Sequence, residues 1–191
     1  MNLKKRSWTS SGLYLILDIE PCKSYAKMRK VLLSALKGGV DLVELRDKTS
    51  TAKEIISQGK KLFLLCRRFN VPFIINDRLD IALALGADGL HVGQEDLPVP
   101  MARKALGKNK IIGLSCHSIK DILNSKKICA DYVGFGPVFK TKTKPKASPL
   151  GIEALKKAAQ LSNKPVFAIG GITKNNINLL NGIERLNIAV C

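Results

Sequence analysis

Eight short apolar runs of β-forming character recur along this 191-residue chain: LYLIL from Leu13, DLVEL from Asp41, VPFII from Val71, GLHV from Gly89, IIGL from Ile111, YVGF from Tyr132, PVFAI from Pro165 and NIAV from Asn187. The seven intervals between them hold segments with helical spacing or composition. MRKVLLSALKGG ends in glycines suited to closing a helix, and TAKEIISQGKKLFLLCRRF places apolar residues at three- and four-residue steps. RLDIALALG, PMARKALG, SIKDILNSKK, GIEALKKAAQ and KNNINLLNG fill the remaining intervals. Strand followed by helix, seven times over and ending on an eighth strand, predicts a parallel sheet covered by helices. Eight strands predict a single closed (β/α)8 barrel, the TIM-barrel architecture, with its chemistry at the C-terminal ends of the strands. An open doubly wound sheet is the rival, but no GxGxxG follows the first strand. Residues 1–12, polar, basic and Ser-rich, read as a lead-in, and 13–191 as one barrel domain without an internal linker. The chain is short for this fold, and no segment is left for an eighth helix.

With 46% hydrophobic residues the chain can build a real core. Its 32 Lys+Arg against 15 Asp+Glu give a net charge of +17, which favours polyanions: nucleic acid, acidic membrane surfaces or small phosphorylated substrates. The 24 lysines are scattered rather than striped, which suits a solvated surface better than a nucleic-acid interface. Of the five cysteines no two form a CxxC, so free thiols in a reducing cytoplasm are expected rather than a zinc site or a disulfide framework. Lys4, Lys5 and Arg6 ahead of Leu13–Leu17 imitate an export signal, but Asp18 and Glu20 interrupt the apolar run too early for export or for spanning a bilayer.

In VELRDK, strand alternation puts Glu44, Arg46 and Lys48 on one side and Val43 and Leu45 on the other. Charges inside a barrel wall make sense near the mouth, where Arg offers a fork for phosphate oxygens and Lys a movable point charge. The bland alternative is a Glu44–Arg46 ion pair that holds the rim. FIINDR closes the third strand with Asn76 and Asp77, and Asp96 lies shortly after the fourth. Two carboxylates at neighbouring strand ends could hold Mg2+, which prefers few protein oxygens, retained water and substrate phosphates. Taken singly, each aspartate reads better as a helix cap than as a metal ligand.

His91, inside a strand, reads as a packed, hydrogen-bonded core residue. His117 and Ser115 follow the fifth strand, where no local motif supports a nucleophilic triad, and Cys116 reads as a free thiol. AIGGI ends the seventh strand with glycines that could offer backbone N–H groups to phosphate, or simply turn the chain. The stretch GPVFKTKTKPKASPLG becomes the long loop over the barrel mouth, and its hydroxyls, amides and a lysine suit a phosphate cradle. A nucleic-acid arm would interleave arginine or aromatic residues. Lys140 and Lys146 read as solvent decoration.

The order GGVDLVELRDK, INDR, ADGLHVGQED, IGLSCHS, ADYVGFGPVFKTKTK, AIGGI resembles the thiamine-phosphate synthase family along nearly the whole chain. The resemblance implies a barrel enzyme that joins a hydroxymethylpyrimidine diphosphate to a thiazole phosphate and releases pyrophosphate. It implies that Arg46 and Lys48 hold the diphosphate beside Asn76, that Asp77 and Asp96 bind Mg2+, and that Ser115 touches the pyrimidine. It further implies that Thr141, the backbone of Lys142 and Thr143 hold the thiazole phosphate, that Lys144 reaches back to the diphosphate, and that Gly171 offers its amide. Glu44 stands where the family usually has glutamine and adds a negative charge beside a polyanion. The family's phosphate-gripping turn after the eighth strand and its last helix have no counterpart, and an uncovered flank there would invite self-association into a homo-oligomer. Two other readings are a thiazole tautomerase, disfavoured because Pro137 replaces that family's proton-moving histidine, and a non-catalytic relative that binds thiamine-related phosphates.

Overall fold

A computed structural model describes residues 12–141 and 147–191. Eight parallel strands close into a barrel in sequence order: β1 (Leu13–Asp18), β2 (Leu42–Arg46), β3 (Phe73–Asn76), β4 (Gly89–Val92), β5 (Ile111–Cys116), β6 (Tyr132–Phe135), β7 (Val166–Ala168) and β8 (Leu186–Val190). Among the described residues seven α-helices lie in the connections: α1 (Ile19–Cys22), α2 (Tyr25–Lys37), α3 (Ala52–Arg68), α4 (Leu79–Leu85), α5 (Val99–Leu106), α6 (Ile119–Ser125) and α7 (Gly151–Leu161). The barrel predicted from the strand–helix alternation is the observed fold. β8 pairs with β1 through Leu13–Ile188 and Leu15–Val190, which seals the sheet and removes both edges.

Strand alternation sorts the core into two layers. Leu15, Leu17, Val43, Leu45, Phe73 and Ile75 point outward and pack under the helices, joined by Leu32, Ile55 and Leu62. Tyr14, Ile16, Leu42, Ile74, Tyr132 and Phe167 fill the barrel interior instead. Helix starts follow capping chemistry: Ser24 and Ser118 accept from Lys27 and Asp121 backbone N–H, and Thr51 forms a reciprocal capping box with Glu54.

The N-terminal face is tied by a recurring device. Asp41, Asp88 and Asp131 each immediately precede an even-numbered strand. Each accepts a backbone N–H at or next to the start of the preceding odd one, from Leu13, Phe73 and Ile112. Arg103 then anchors Asp131 at 2.5 Å. These bonds sit opposite the functional face and serve the frame, not the chemistry.

Two connections differ from the sequence expectation. The KNNINLLNG interval forms a 3-10 turn, Ile177–Leu180, rather than an α-helix. Asn176 turns its side chain onto Thr173 N–H and the Gly171 carbonyl, so the asparagine competes with helical hydrogen bonding. After β1 the short α1 appears, started by Asp18, whose side chain accepts from Glu20 N–H. Among the described residues, no helix is long and apolar enough to cross a membrane.

Candidate active site at the strand C-termini

The C-terminal ends of the strands surround a cavity of about 470 Å3. Glu44 and Arg46 from β2, Asn76 from β3, Ser115 from β5, Thr141 from the loop after β6 and Gly171 after β7 all line it. Six of the residues singled out in the sequence therefore meet at one opening. Lys48, Asp77 and Asp96 form a second group at the same rim, outside the cavity lining. Lys142, Thr143 and Lys144 lie outside the described residues.

Arg46 does not pair with Glu44. It forms an ion pair through Nη1 with Asp18 Oδ2, whose side chain is fully buried. The register explains the choice, since Asp18 lies directly beside Arg46 across the β1–β2 ladder. Glu44, 2% exposed, accepts instead from the Tyr14 hydroxyl. Burial, opposed by that hydrogen bond and by Arg46, pushes the Glu44 carboxyl up to about 7.

Neither aspartate of the candidate metal pair caps a helix. The capping positions before α4 and α5 are Arg78 and Pro98, neither of which makes a side-chain cap. Asp77 takes a left-handed backbone, φ 58, with its N–H on the His91 carbonyl at 2.8 Å, and its carboxylate meets Lys48 Nζ at 3.0 Å. Asp96 folds back to accept from Gly93 N–H at 2.7 Å. Its carboxyl is held above the usual range, first by loss of surrounding water and then by the Asp77 carboxyl beside it. The two crowded carboxylates are oxygen donors of the kind a hard divalent cation takes, while Lys48 supplies positive charge to Asp77. No group of three or more His, Cys, Asp or Glu able to hold a metal occurs among the described residues. Two carboxylates suffice for Mg2+ only where substrate phosphates and water complete the shell.

The AIGGI glycines do more than turn the chain. Gly170 and Gly171 have φ of +97 and +67, and a Cβ at Gly170 would lie 2.5 Å from Pro137 Cβ. A Cβ at Gly171 would fall on the Lys140 carbonyl and 2.9 Å from Phe139 Cβ. Val138 and Phe139 N–H donate to the Ile169 and Gly170 carbonyls at 2.8 and 2.9 Å. The loop after β6 is thereby stitched to the turn after β7, which places Thr141 and Gly171 on the same wall. Lys140, read as solvent decoration, belongs to the cavity lining.

Sequence reasoning misses further lining residues. Asp18 reads as a mere interruption of an apolar leader, and Tyr14 blends into an apolar strand. His91 is packed and hydrogen-bonded as expected, 8% exposed, yet it also faces the cavity. The one sequence signal for Tyr14 is its in-register parity with Ile16 on β1, which only the barrel's closure turns into a position.

Residues 13–191 match the family model described as thiamine monophosphate synthase. A thiamine-phosphate synthase of Prochlorococcus marinus is 43% identical over 190 residues, covering 100% of this chain, and the chain spans 54% of that relative's length. One from Clostridium tetani is 42% identical over 178 residues, with 93% of this chain and 85% of the relative covered. The solved thiamine phosphate pyrophosphorylase of Pyrococcus furiosus superposes with a TM-score of 0.83 at 35% identity, over 96% of this chain and 86% of that one. With residues 13–191 matched and its rim residues gathered at one mouth, the chain belongs to the thiamine monophosphate synthase family of transferases.

Proposed function

We propose that the chain is a thiamine-phosphate synthase, coupling 4-amino-5-hydroxymethyl-2-methylpyrimidine diphosphate to a thiazole phosphate with release of pyrophosphate. The observation that carries this reading is the meeting of Arg46, Lys48, Asp77 and Asp96 at one rim, at the mouth of a cavity lined by Ser115 and Asn76. Membership of a family whose relatives bear that activity in their names supports it. The proposal extends to the setting: work in the cytoplasm on small phosphorylated substrates, and on neither nucleic acid nor membrane. Lysines scattered along the chain rather than gathered in a stripe support that choice of partner.

In this reaction the bond from the pyrimidine's methylene carbon to the diphosphate oxygen breaks, and the oxygen keeps the electron pair. The thiazole nitrogen then forms the new C–N bond with its lone pair. Little acid–base work is needed, so the chain's own contribution is charge neutralisation and positioning. Arg46, held by Asp18, presents its guanidinium to the diphosphate as a pre-oriented fork, and Lys48 adds a point charge. Asp77 and Asp96 would hold Mg2+, which when bound neutralises charge on the departing pyrophosphate. Asn76 stands with Arg46 and Lys48 at the diphosphate, and Ser115 contacts the pyrimidine in the cavity. Thr141 seats the thiazole phosphate and Gly171 offers its backbone amide; by family resemblance Thr143 and the Lys142 backbone would join Thr141, and Lys144 would serve the diphosphate.

Pyrophosphate release from the two phosphorylated substrates with Mg2+ tests the reading. Turnover is expected only with both substrates present, and Asp77→Ala or Asp96→Ala should reduce it by at least about a hundredfold. Isomerisation of a thiazole carboxylate without any pyrimidine would replace the synthase with a tautomerase. Tight binding of each substrate without turnover would make the chain a non-catalytic relative.

A further inference from the structure

A continuous row of hydrogen-bonded side chains crosses the barrel interior from β2 to β5. Tyr14 OH donates to Glu44 Oε2, and Tyr14 OH meets Tyr132 OH at 2.9 Å. Tyr132 OH meets His91 Nδ1 at 3.0 Å, and His91 Nε2 meets Ser115 Oγ at 2.9 Å. The row is built, not incidental. A Cβ on Gly113 would strike the Tyr132 ring and His91 Nδ1, so the strand between them carries the one residue that lets them touch. Both tyrosines are buried at 2% exposure or less, and both hydroxyls are held far from ionisation, first by that burial.

Each hydroxyl carries one proton, and a neutral imidazole carries one on either nitrogen. The row therefore has a direction, and its end sets it. An ionised Glu44 can only accept, so Tyr14 directs its proton there. Tyr14 oxygen then accepts from Tyr132, Tyr132 oxygen accepts from His91 Nδ1–H, and the unprotonated Nε2 accepts from Ser115 O–H. The serine is left with lone pairs facing the cavity. A neutral end group that donates to Tyr14 sends the Tyr14 proton to Tyr132, which no longer obliges His91 to carry its proton on Nδ1 and so permits the opposite order, with the Ser115 proton turned outward.

We propose that Glu44 is a positioning residue that, through Tyr14, Tyr132 and His91, fixes the Ser115 hydroxyl as a hydrogen-bond acceptor for an N–H group on the ring seated in the cavity. Identification of that ring as the aminopyrimidine rests on the function proposed above; the proton order of the row does not. The glutamate where glutamine is usual thus has a role, because glutamine can donate as well as accept and leaves the direction open.

The proton order can be read without substrate, from the 15N signals of ring-labelled histidine, with His117→Gln to assign the two histidines of the chain. Well above the Glu44 titration, His91 should show a pyrrole-like Nδ1 and a pyridine-like Nε2. Tyr14→Phe and Glu44→Gln should each move population toward the opposite tautomer. In the same variants the Kd for the pyrimidine diphosphate should rise roughly three- to tenfold, the range of one hydrogen bond, with the thiazole phosphate KM unchanged. A wild-type His91 protonated on Nε2 overturns the proposal, and that measurement needs no variant. Ring signals that stay at wild-type positions in folded Tyr14→Phe and Glu44→Gln overturn it equally. Absence of pyrophosphate release alongside the expected tautomer would remove the synthase reading and leave the proton order standing.

Discussion

Replacing Glu44 by glutamine should make the protein more stable, and by an amount that depends on pH. The carboxyl is fully buried, and the groups facing it are mixed: Tyr14 and Asp18 from β1, Arg46 from its own strand, Asp77 after β3, and Cys191 after β8, with His91 and Tyr132 across the interior. Burial outweighs the favourable partners and lifts the carboxyl from 4.5 to about 7. Between those values the folded protein binds more protons than the unfolded chain, so stability falls as pH rises across the interval. The stabilisation is fully present below about 4.5 and lost above about 7, a total of about 3 kcal/mol at roughly 1.4 kcal/mol per pH unit. Glutamine can still accept from Tyr14 and carries no charge, so it escapes this loss. Urea unfolding of wild type and Glu44→Gln in buffers from about pH 4.5 to about pH 8 should show the variant gaining about 3 kcal/mol relative to wild type across the series. Two parallel stability curves, or a variant that loses ground as pH rises, would refute the assignment of Glu44 as a desolvated carboxyl.

Other perturbations probe the frame around it. Gly113→Ala sets a methyl into the Tyr132–His91 contact and should lower stability by at least about 2 kcal/mol, read as a fall in Tm; an unchanged Tm would mean the contact is loose. Asp18→Ala leaves the Arg46 guanidinium, 16% exposed, without its counter-charge and should cost about 3 kcal/mol, with diphosphate affinity reduced because the fork is no longer held. Gly171→Ala combines a positive φ with a clash against Lys140 and Phe139, so the thiazole phosphate KM should rise about tenfold or more while pyrimidine diphosphate binding stays near wild type.

Much is legible in the chain because it depends on local chemistry. Short apolar strand runs between helical segments specify the barrel, and the parity of Val43 and Leu45 against Glu44 and Arg46 identifies which side chains look inward. Motif order carries the family, and strand-end position marks Asn76, Asp77 and Ser115. The asparagine-rich interval before β8 misleads because its local side-chain bonds outcompete helical ones, a contest the apolar spacing of INLL does not reveal.

Sequence by itself determined the alternating elements, the facing of each strand and the charges available at the rim. Tertiary structure alone decided the partners. Arg46 belongs to Asp18 because β1 and β2 align them, and Asp77 meets Lys48 and Asp96 because three successive strand ends converge. Tyr14 meets Tyr132, 118 positions away, because the barrel closes. The physical reason is that facing follows from the two-residue period of a strand, whereas pairing in the interior requires the sheet to curl until opposite walls come within hydrogen-bond reach.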